Sequence, residues 1–221
     1  MRISKKPKPL VLAVLMVLAT LLRSHEASAQ EPGVLIVAGG CFWCVESDFE
    51  SVPGVTGAIS GYIGGNTDDP TYKQVSKGDT GHYEAVQIFF DPQTVNRETL
   101  LNLFFRSVDP TDAGGQFCDR GESYRTAIFV SNAGEKALAE GVRTQAQREL
   151  GQTIVTPILP VSQFYPAETY HQDYYKGRKI VITRFGPKRQ SEAYKRYRQA
   201  CRRDARVLEL WGDAAPFVGE H

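Results

Sequence analysis

The sequence predicts an α+β fold, a two-layer sandwich of one mixed or antiparallel sheet with helices mainly on one face and an extended irregular region toward the C-terminus. Three observations carry this. Strand-like and helix-like segments alternate along the chain, but the loops between them are long, which points to an arrangement close to the split βαβ of ferredoxin-like sheets. The strongest strand, "HYEAVQIFFD", sets Tyr83, Ala85, Gln87 and Phe89 on one face and Glu84, Val86, Ile88 and Phe90 on the other. The chain has 221 residues, and the 192 left after a 29-residue leader suit one domain with a sizeable core.

The elements follow in order. "GVLIVAGG" reads as a short buried strand ending in glycines. Residues 41–51 read as a helix stopped by Pro53-Gly54. "VTGAISGYIGG" suits a second strand, and "NTDDPTYKQVSKGDTG" a loop with a helical turn after Pro70. After the strong strand, "NRETLLNLFFRSV" is an amphipathic helix, "DPTDAGGQFCDRGES" a turn-rich loop and "YRTAIFVS" a strand. "NAGEKALAEGVRTQAQREL" is a helix with Asn132 near its start and Gly151 past its end. "TIVTPILPVSQFYPAE" begins as a strand, and the chain is then irregular until a basic helix at about 190–210.

Residues 1–29 read as a cleavable signal peptide. Arg2, Lys5, Lys6 and Lys8 precede the apolar run "LVLAVLMVLATLL", and "ASA" stands before Gln30. The run is shorter than the roughly 20 residues that span a bilayer, so export is expected rather than an uncleaved anchor. The mature protein is expected to be periplasmic or secreted, without stable membrane association. Without the leader the net charge is about −3. No basic stripe with interleaved aromatics occurs in residues 30–120, so nucleic acid is not expected as a partner. The basic segment "KRQSEAYKRYRQACRRDAR" reads as a solvated helix face.

All four cysteines (Cys41, Cys44, Cys118 and Cys201) fall in the mature part. They allow two disulfides in three connectivities and are too few to replace a core. Cys41 follows two glycines and opens a helix, where unpaired N–H groups and the helix dipole favour thiolate. The glycines would let a substrate approach the backbone. Cys44 is one turn on, with Cα atoms about 5 Å apart in a helix, inside disulfide range. By spacing alone this Cys-x-x-Cys is a redox pair, half a metal site or a clip. Glu84 shares its strand face with apolar residues. It is either a carboxyl of raised pKa able to donate a proton or an exposed group at the strand's mouth.

The stretches "GGCFWCVESDFESVPGV", "GYIGGNTDDPTYKQVSKGDTGHYEAVQIFFDP", "QFCDRGESYRTAIF" and "FYPAETYHQDYY" occur in this order. Together they resemble the A-type peptide methionine sulfoxide reductases, from about Val34 to Tyr175 and more loosely to "LELWG". The resemblance implies that Cys41 is the nucleophile and that Phe42 and Trp43 bind the methyl group of the sulfoxide. It implies that Tyr72, Tyr124 and Glu84 bind the sulfoxide oxygen and that Asp119 organises the site. His171 and Tyr174 resemble residues lining the same cavity. It further implies reduction of the S epimer of methionine sulfoxide, free or peptide-bound, with no metal or organic cofactor. Cys41 becomes a sulfenic acid, a second thiol condenses with it, and a thioredoxin-like dithiol reduces the resulting disulfide. Many members of the family carry glycine where this chain has Cys44. By proximity Cys44 is the first choice for the resolving thiol, then Cys118, then Cys201, the last two being read first as buried or clip cysteines. A general thiol–disulfide oxidoreductase would not explain Glu84 or Tyr124. A zinc module would need a second Cys-x-x-Cys or His pair, which the chain lacks.

Overall fold

The computed structural model describes residues 31–219. The leader therefore lies outside the described residues, and the chain from Pro32 onward forms one unit. Its elements are β1 (Gly33–Gly39), α1 (Phe42–Glu50), β2 (Val55–Ile63), α2 (Tyr72–Lys77), β3 (Tyr83–Phe90) and α3 (Arg97–Ser107). There follow a small hairpin of β4 (Gly115–Gln116) and β5 (Asp119–Arg120), then β6 (Thr126–Val130) and α4 (Ala133–Leu150). The last part holds β7 (Ile158–Pro160), β8 (Tyr165–Pro166), β9 (Ile180–Thr183), β10 (Gly186–Arg189), α5 (Gln190–Ala200) and α6 (Arg203–Trp211).

A mixed six-stranded sheet runs in the order β7-β6-β1-β3-β2-β8. Only β6 and β7 are parallel. The period-2 pattern divides the apolar side chains between the two faces. Leu35 and Val37 of β1, Val86, Ile88 and Phe90 of β3, and Ile128 and Val130 of β6 join the apolar residues of α1, α3 and α4 in the main core. Ile36, Ala38, Ala85, Ala127 and Phe129 point the other way, into a smaller cluster covered by Phe164. The helices thus lie mainly on one face, as the alternation of elements predicts. Asn132 caps α4 by accepting a hydrogen bond from the Glu135 N–H at 2.9 Å, and Gly151 ends it in the left-handed region.

The C-terminal part differs from expectation. The strand expected from residue 153 begins only at Ile158. Residues 180–189, expected to be irregular, form the β9–β10 hairpin, turned at Gly186 with φ +83°. The single basic helix is two helices, broken where Arg202 takes a left-handed φ of 57°. Its basic face is not all solvated. Arg198 and Arg203 are 4% and 2% exposed, drawn inward by the fully buried Asp48 of α1. Arg198 Nη1 lies 2.8 Å from Asp48 Oδ1. Arg203 donates to the carbonyls of Gly39 at 3.1 Å and Ser107 at 2.9 Å.

Glu46, also on α1, is fully buried. Its Oε2 lies 2.7 Å from Ser60 Oγ, and its Oε1 accepts the Asp173 N–H at 2.8 Å. Burial pushes its pKa from 4.5 up to about 7. A raised carboxyl favours folding below its unfolded value, and that advantage is lost as the pH rises from about 4.5 to about 7. The loss is on the order of 2–3 kcal/mol. Glu46→Gln keeps both contacts without the charge, so its urea midpoint should fall less steeply across that window than the parent's. Parallel slopes for the two proteins would refute this.

Candidate active site

Cys41 is the N-cap of α1 and not its first helical residue. Its carbonyl accepts the N–H of Cys44 at 3.0 Å. Gly40, at φ +81°, makes the turn from β1, and a Cβ there would come within 2.5 Å of the Gln116 side chain. A Cβ on Gly39 would come within 2.9 Å of Val45. The turn and the packing inside the protein therefore already require the two glycines.

A cavity of about 340 Å³ opens beside Cys41. It is lined by the aromatic rings of Phe42, Trp43 and Tyr174 and by Tyr72, Tyr124, Glu84 and Asp119. Cys44 and the Cys118–Cys201 pair also reach its surface, as do Ile182, Thr183 and Arg184 of the hairpin. The structure thus gathers eleven of the twelve residues singled out in the sequence around one space. His171 is the exception. It stands behind the aromatic wall, 2% exposed, with ring centroids 5.0 Å from Phe42 and 4.4 Å from Tyr72. The Trp43 Nε1–H donates to its Nδ1 at 3.2 Å, so its proton is on Nε2. Burial lowers its pKa to about 4, which keeps the ring neutral and able to accept. Trp43 is also clamped from its flat side, stacked on Tyr174 at 3.7 Å with 4° between the planes.

Glu84 is 2% exposed and accepts the Phe42 N–H on Oε2 at 3.2 Å. Burial pushes its pKa up to about 8, against the pull of that hydrogen bond. It is the neutral acid at pH 7, and the reading of an exposed strand end is set aside. Burial also raises Asp119, with Arg203 and Arg184 opposing. Tyr72 and Tyr124 face one another, and burial, with the nearby Glu84, holds both phenols well above their ordinary value.

Cys41 and Cys44 are free thiols that hydrogen-bond to each other. That bond, burial and the nearby carboxyls raise Cys41. The same bond and the charges of Arg203 and Arg198 bring Cys44 down to about 7. The helix N-terminus alone therefore does not set the charge. Burial and the neighbouring carboxyls thus oppose ionisation of Cys41, whereas Arg203 and Arg198 favour ionisation of its partner Cys44. Cys118 and Cys201 are joined to each other, in line with their reading as clip cysteines.

Two groups of candidate metal ligands occur among the described residues. One is Cys118, Asp119 and Cys201, whose two sulfurs are bonded together. The other is Glu46, Glu50 and Asp173, where the Lys176 ammonium already lies 2.7 Å from Glu50 and 2.8 Å from Asp173. Cys41 and Cys44 belong to neither.

Residues 33–205 match the family model described as peptide methionine sulfoxide reductase. The chain belongs to this family. It is 48% identical over 189 residues to a protein of Rhizobium meliloti named peptide methionine sulfoxide reductase MsrA 2, covering 86% of this chain and 88% of that one. It is 44% identical over 190 residues to a peptide methionine sulfoxide reductase MsrA of Bacillus licheniformis, covering 83% and 96%. Among solved structures, it resembles Mxr1 from Saccharomyces cerevisiae in reduced form, with a TM-score of 0.62 at 32% identity over 66% of this chain and 84% of that one. It also resembles methionine sulfoxide reductase A of Corynebacterium diphtheriae, with a TM-score of 0.60 at 28% identity over 67% and 76%.

Several residues that build this reductase site were not read from the sequence. Gln116 is wholly buried and ties the loop under Gly40 through Asp109. Glu168 holds the Tyr72 N–H at 2.9 Å and the Tyr62 hydroxyl at 2.9 Å. Asp48, Arg198 and Arg203 carry the charge around Cys44. One signal for the last group was available. A helix packed beside the sheet that carries Glu46 and Asp48 among its buried residues needs partners for them.

Proposed function

We propose that this chain reduces the S epimer of methionine sulfoxide, free or within proteins, by attack of Cys41 on the sulfoxide sulfur. The observation that carries this is a buried Glu84 and a thiol pair lining one aromatic-walled cavity. The methyl group packs against Phe42 and Trp43, with Tyr174 backing the indole. Tyr72 and Tyr124 donate to the oxygen, and Glu84 supplies a proton to it as the S–O bond weakens. Asp119 sits beside them and orders the site. His171 acts through Trp43 as a positioning residue.

Cys41 attacks as the thiolate. The substrate sulfur is reduced by two electrons and leaves as methionine, while Cys41 is oxidised to a sulfenic acid carrying the oxygen. Cys44, with a pKa near 7, ionises and attacks the Cys41 sulfur. A Cys41–Cys44 disulfide forms and the oxygen departs as water. A thioredoxin-like dithiol restores the thiols by exchange. Residues 1–29 act as a cleaved signal peptide, residues 30–221 form the reductase domain, and the enzyme works in the periplasm or outside the cell. The order of β6, β1, β3 and β2 supports a ferredoxin-like split βαβ frame for the site.

Thiol mapping after one turnover with methionine S-sulfoxide tests the reading. Cys41 and Cys44 are expected to be linked. Cys44→Ser should release one methionine per enzyme and then fail to recycle through a disulfide. A bond from Cys41 to Cys118 or Cys201 would overturn the assignment of Cys44, and no methionine at all would overturn the function.

A further inference from the structure

The charge of the chain is divided along its length. Residues 30–175 carry nine basic and nineteen acidic side chains, whereas residues 176–206 carry twelve basic and two acidic ones. Arg198 and Arg203 meet Asp48 in the interior. By contrast, Arg178, Lys179, Arg184 and Arg189 are exposed and make no ion pair among the described residues. All four lie on or beside the β9–β10 hairpin.

That hairpin borders the mouth of the cavity. Its inner face holds Val181, packed on the cluster of Cys44, Tyr174 and Tyr194, and Thr183, which lines the cavity. Its outer face presents Ile180 and Ile182, 74% and 83% exposed and the most exposed large apolar side chains among the described residues. They stand in register with Arg189 and Pro187 on the neighbouring strand. One exposed isoleucine is ordinary. Here two are aligned, continuous with the cavity through Ile182, and flanked by exposed cations, of which Arg184 also lies over the Phe185 and Tyr197 rings.

We propose that the outer face of this hairpin docks the polypeptide flanking an oxidised methionine and selects segments that carry acidic side chains beside apolar ones. The inference rests on the cavity being the methionine sulfoxide site. A methionine whose side chain enters the cavity leaves its main chain at the mouth, so its neighbours must run across the hairpin. The four residues of β9 span about 10 Å, the length of about three residues of extended peptide. Apolar neighbours cover Ile180 and Ile182. Acidic neighbours meet Arg178, Lys179, Arg184 and Arg189 and are steered toward the mouth, while basic segments are repelled.

The test compares blocked peptides with one central methionine S-sulfoxide flanked by Glu and Leu or by Lys and Leu, with N-acetylmethionine sulfoxide as the small reference substrate. Dithiothreitol serves as reductant, so docking of a protein donor does not enter. At low ionic strength, about 0.01 M, kcat/KM for the acidic peptide should exceed that for the basic one about tenfold. The difference should shrink to less than threefold at about 0.5 M salt. Charge reversal at Arg178, Lys179 and Arg189 together should invert the preference. Ile180→Ser should lower the ratio of peptide to reference kcat/KM for both peptides. Equal rates on the two peptides at low salt, or a preference unchanged by charge reversal, overturn the proposal. So does a result in which the same variants change only recycling by a protein dithiol, only association of two copies, or only binding to anionic vesicles. Failure to reduce the reference substrate would instead remove the functional reading on which the proposal stands.

Discussion

Glu84→Gln should lower kcat/KM for methionine sulfoxide by about a hundredfold or more and remove the alkaline limb of its pH profile. Loss of a positioned general acid costs typically 10²–10⁴-fold. Glutamine has the same shape and accepts the Phe42 N–H that Glu84 now accepts, so the cavity wall is kept and only the mobile proton is lost. The sign of the pH effect follows from the direction of the shift. Glu84 is the acid below about 8, so activity that depends on its proton declines as the pH rises through that value. The rise on the acid side belongs to the thiol pair, with Cys44 ionising near 7. The parent should show a bell with limbs near these two values, and Glu84→Gln a single rise. Stability should move the other way. A carboxyl held above its unfolded value costs the fold stability above that unfolded value, so the variant should be more stable than the parent at alkaline pH. An unchanged falling limb in Glu84→Gln would remove Glu84 from the role of proton donor.

Arg203→Met should be the most destabilising of these substitutions and should also slow disulfide formation. Removing one partner of a buried charge cluster costs about 3–5 kcal/mol. For a chain of this size that corresponds to a drop in Tm of roughly 6–20 °C. Methionine fills much of the space but leaves the carbonyls of Gly39 and Ser107 without their donors and Asp48 with less compensating charge. The chemical consequence is separable from the structural one. Arg203 is a principal cation lowering the Cys44 pKa, so the pH at which the sulfenic acid resolves to disulfide should rise in the variant. Arg203→Lys, which keeps charge and loses the planar fork, should restore the resolution pH more fully than it restores stability. A variant that is less stable but resolves at the parent's pH would show that Arg203 only props the fold.

What the sequence disclosed and what it hid divide along physical lines. Short-range patterns were readable. Alternation in β3 placed Glu84 on the face that turned out to be buried, and the Asn132 and Gly151 signals bounded α4 correctly. The motifs around Cys41, Tyr72, Asp119 and Tyr124 named residues that meet in one cavity although they lie far apart in the chain. Features that depend on a distant partner were not readable. Arg198 and Arg203 look like solvent-facing charges in a basic segment, and distant partners turn them inward: Asp48, 150 residues before Arg198, and for Arg203 the carbonyls of Gly39 and Ser107. The surroundings of the thiol pair were hidden for the same reason. They include cations brought from α5 and α6, which lower the Cys44 pKa. The β9–β10 hairpin was missed because its short alternation lies in a stretch dominated by charge.

The meeting of Asp48 with Arg198 and Arg203 has a consequence for the way the protein is made. Translation delivers Cys41, Cys44, Glu84 and the tyrosines long before the two arginines. A nascent chain that has not yet reached Arg198 has the reactive groups but neither of the cations that meet Asp48 in the folded protein. The charge around the thiol pair is therefore completed late, by the arrival of α5 and α6, and a chain cut short before Arg198 carries the complete motif set with Asp48 facing neither of its arginines.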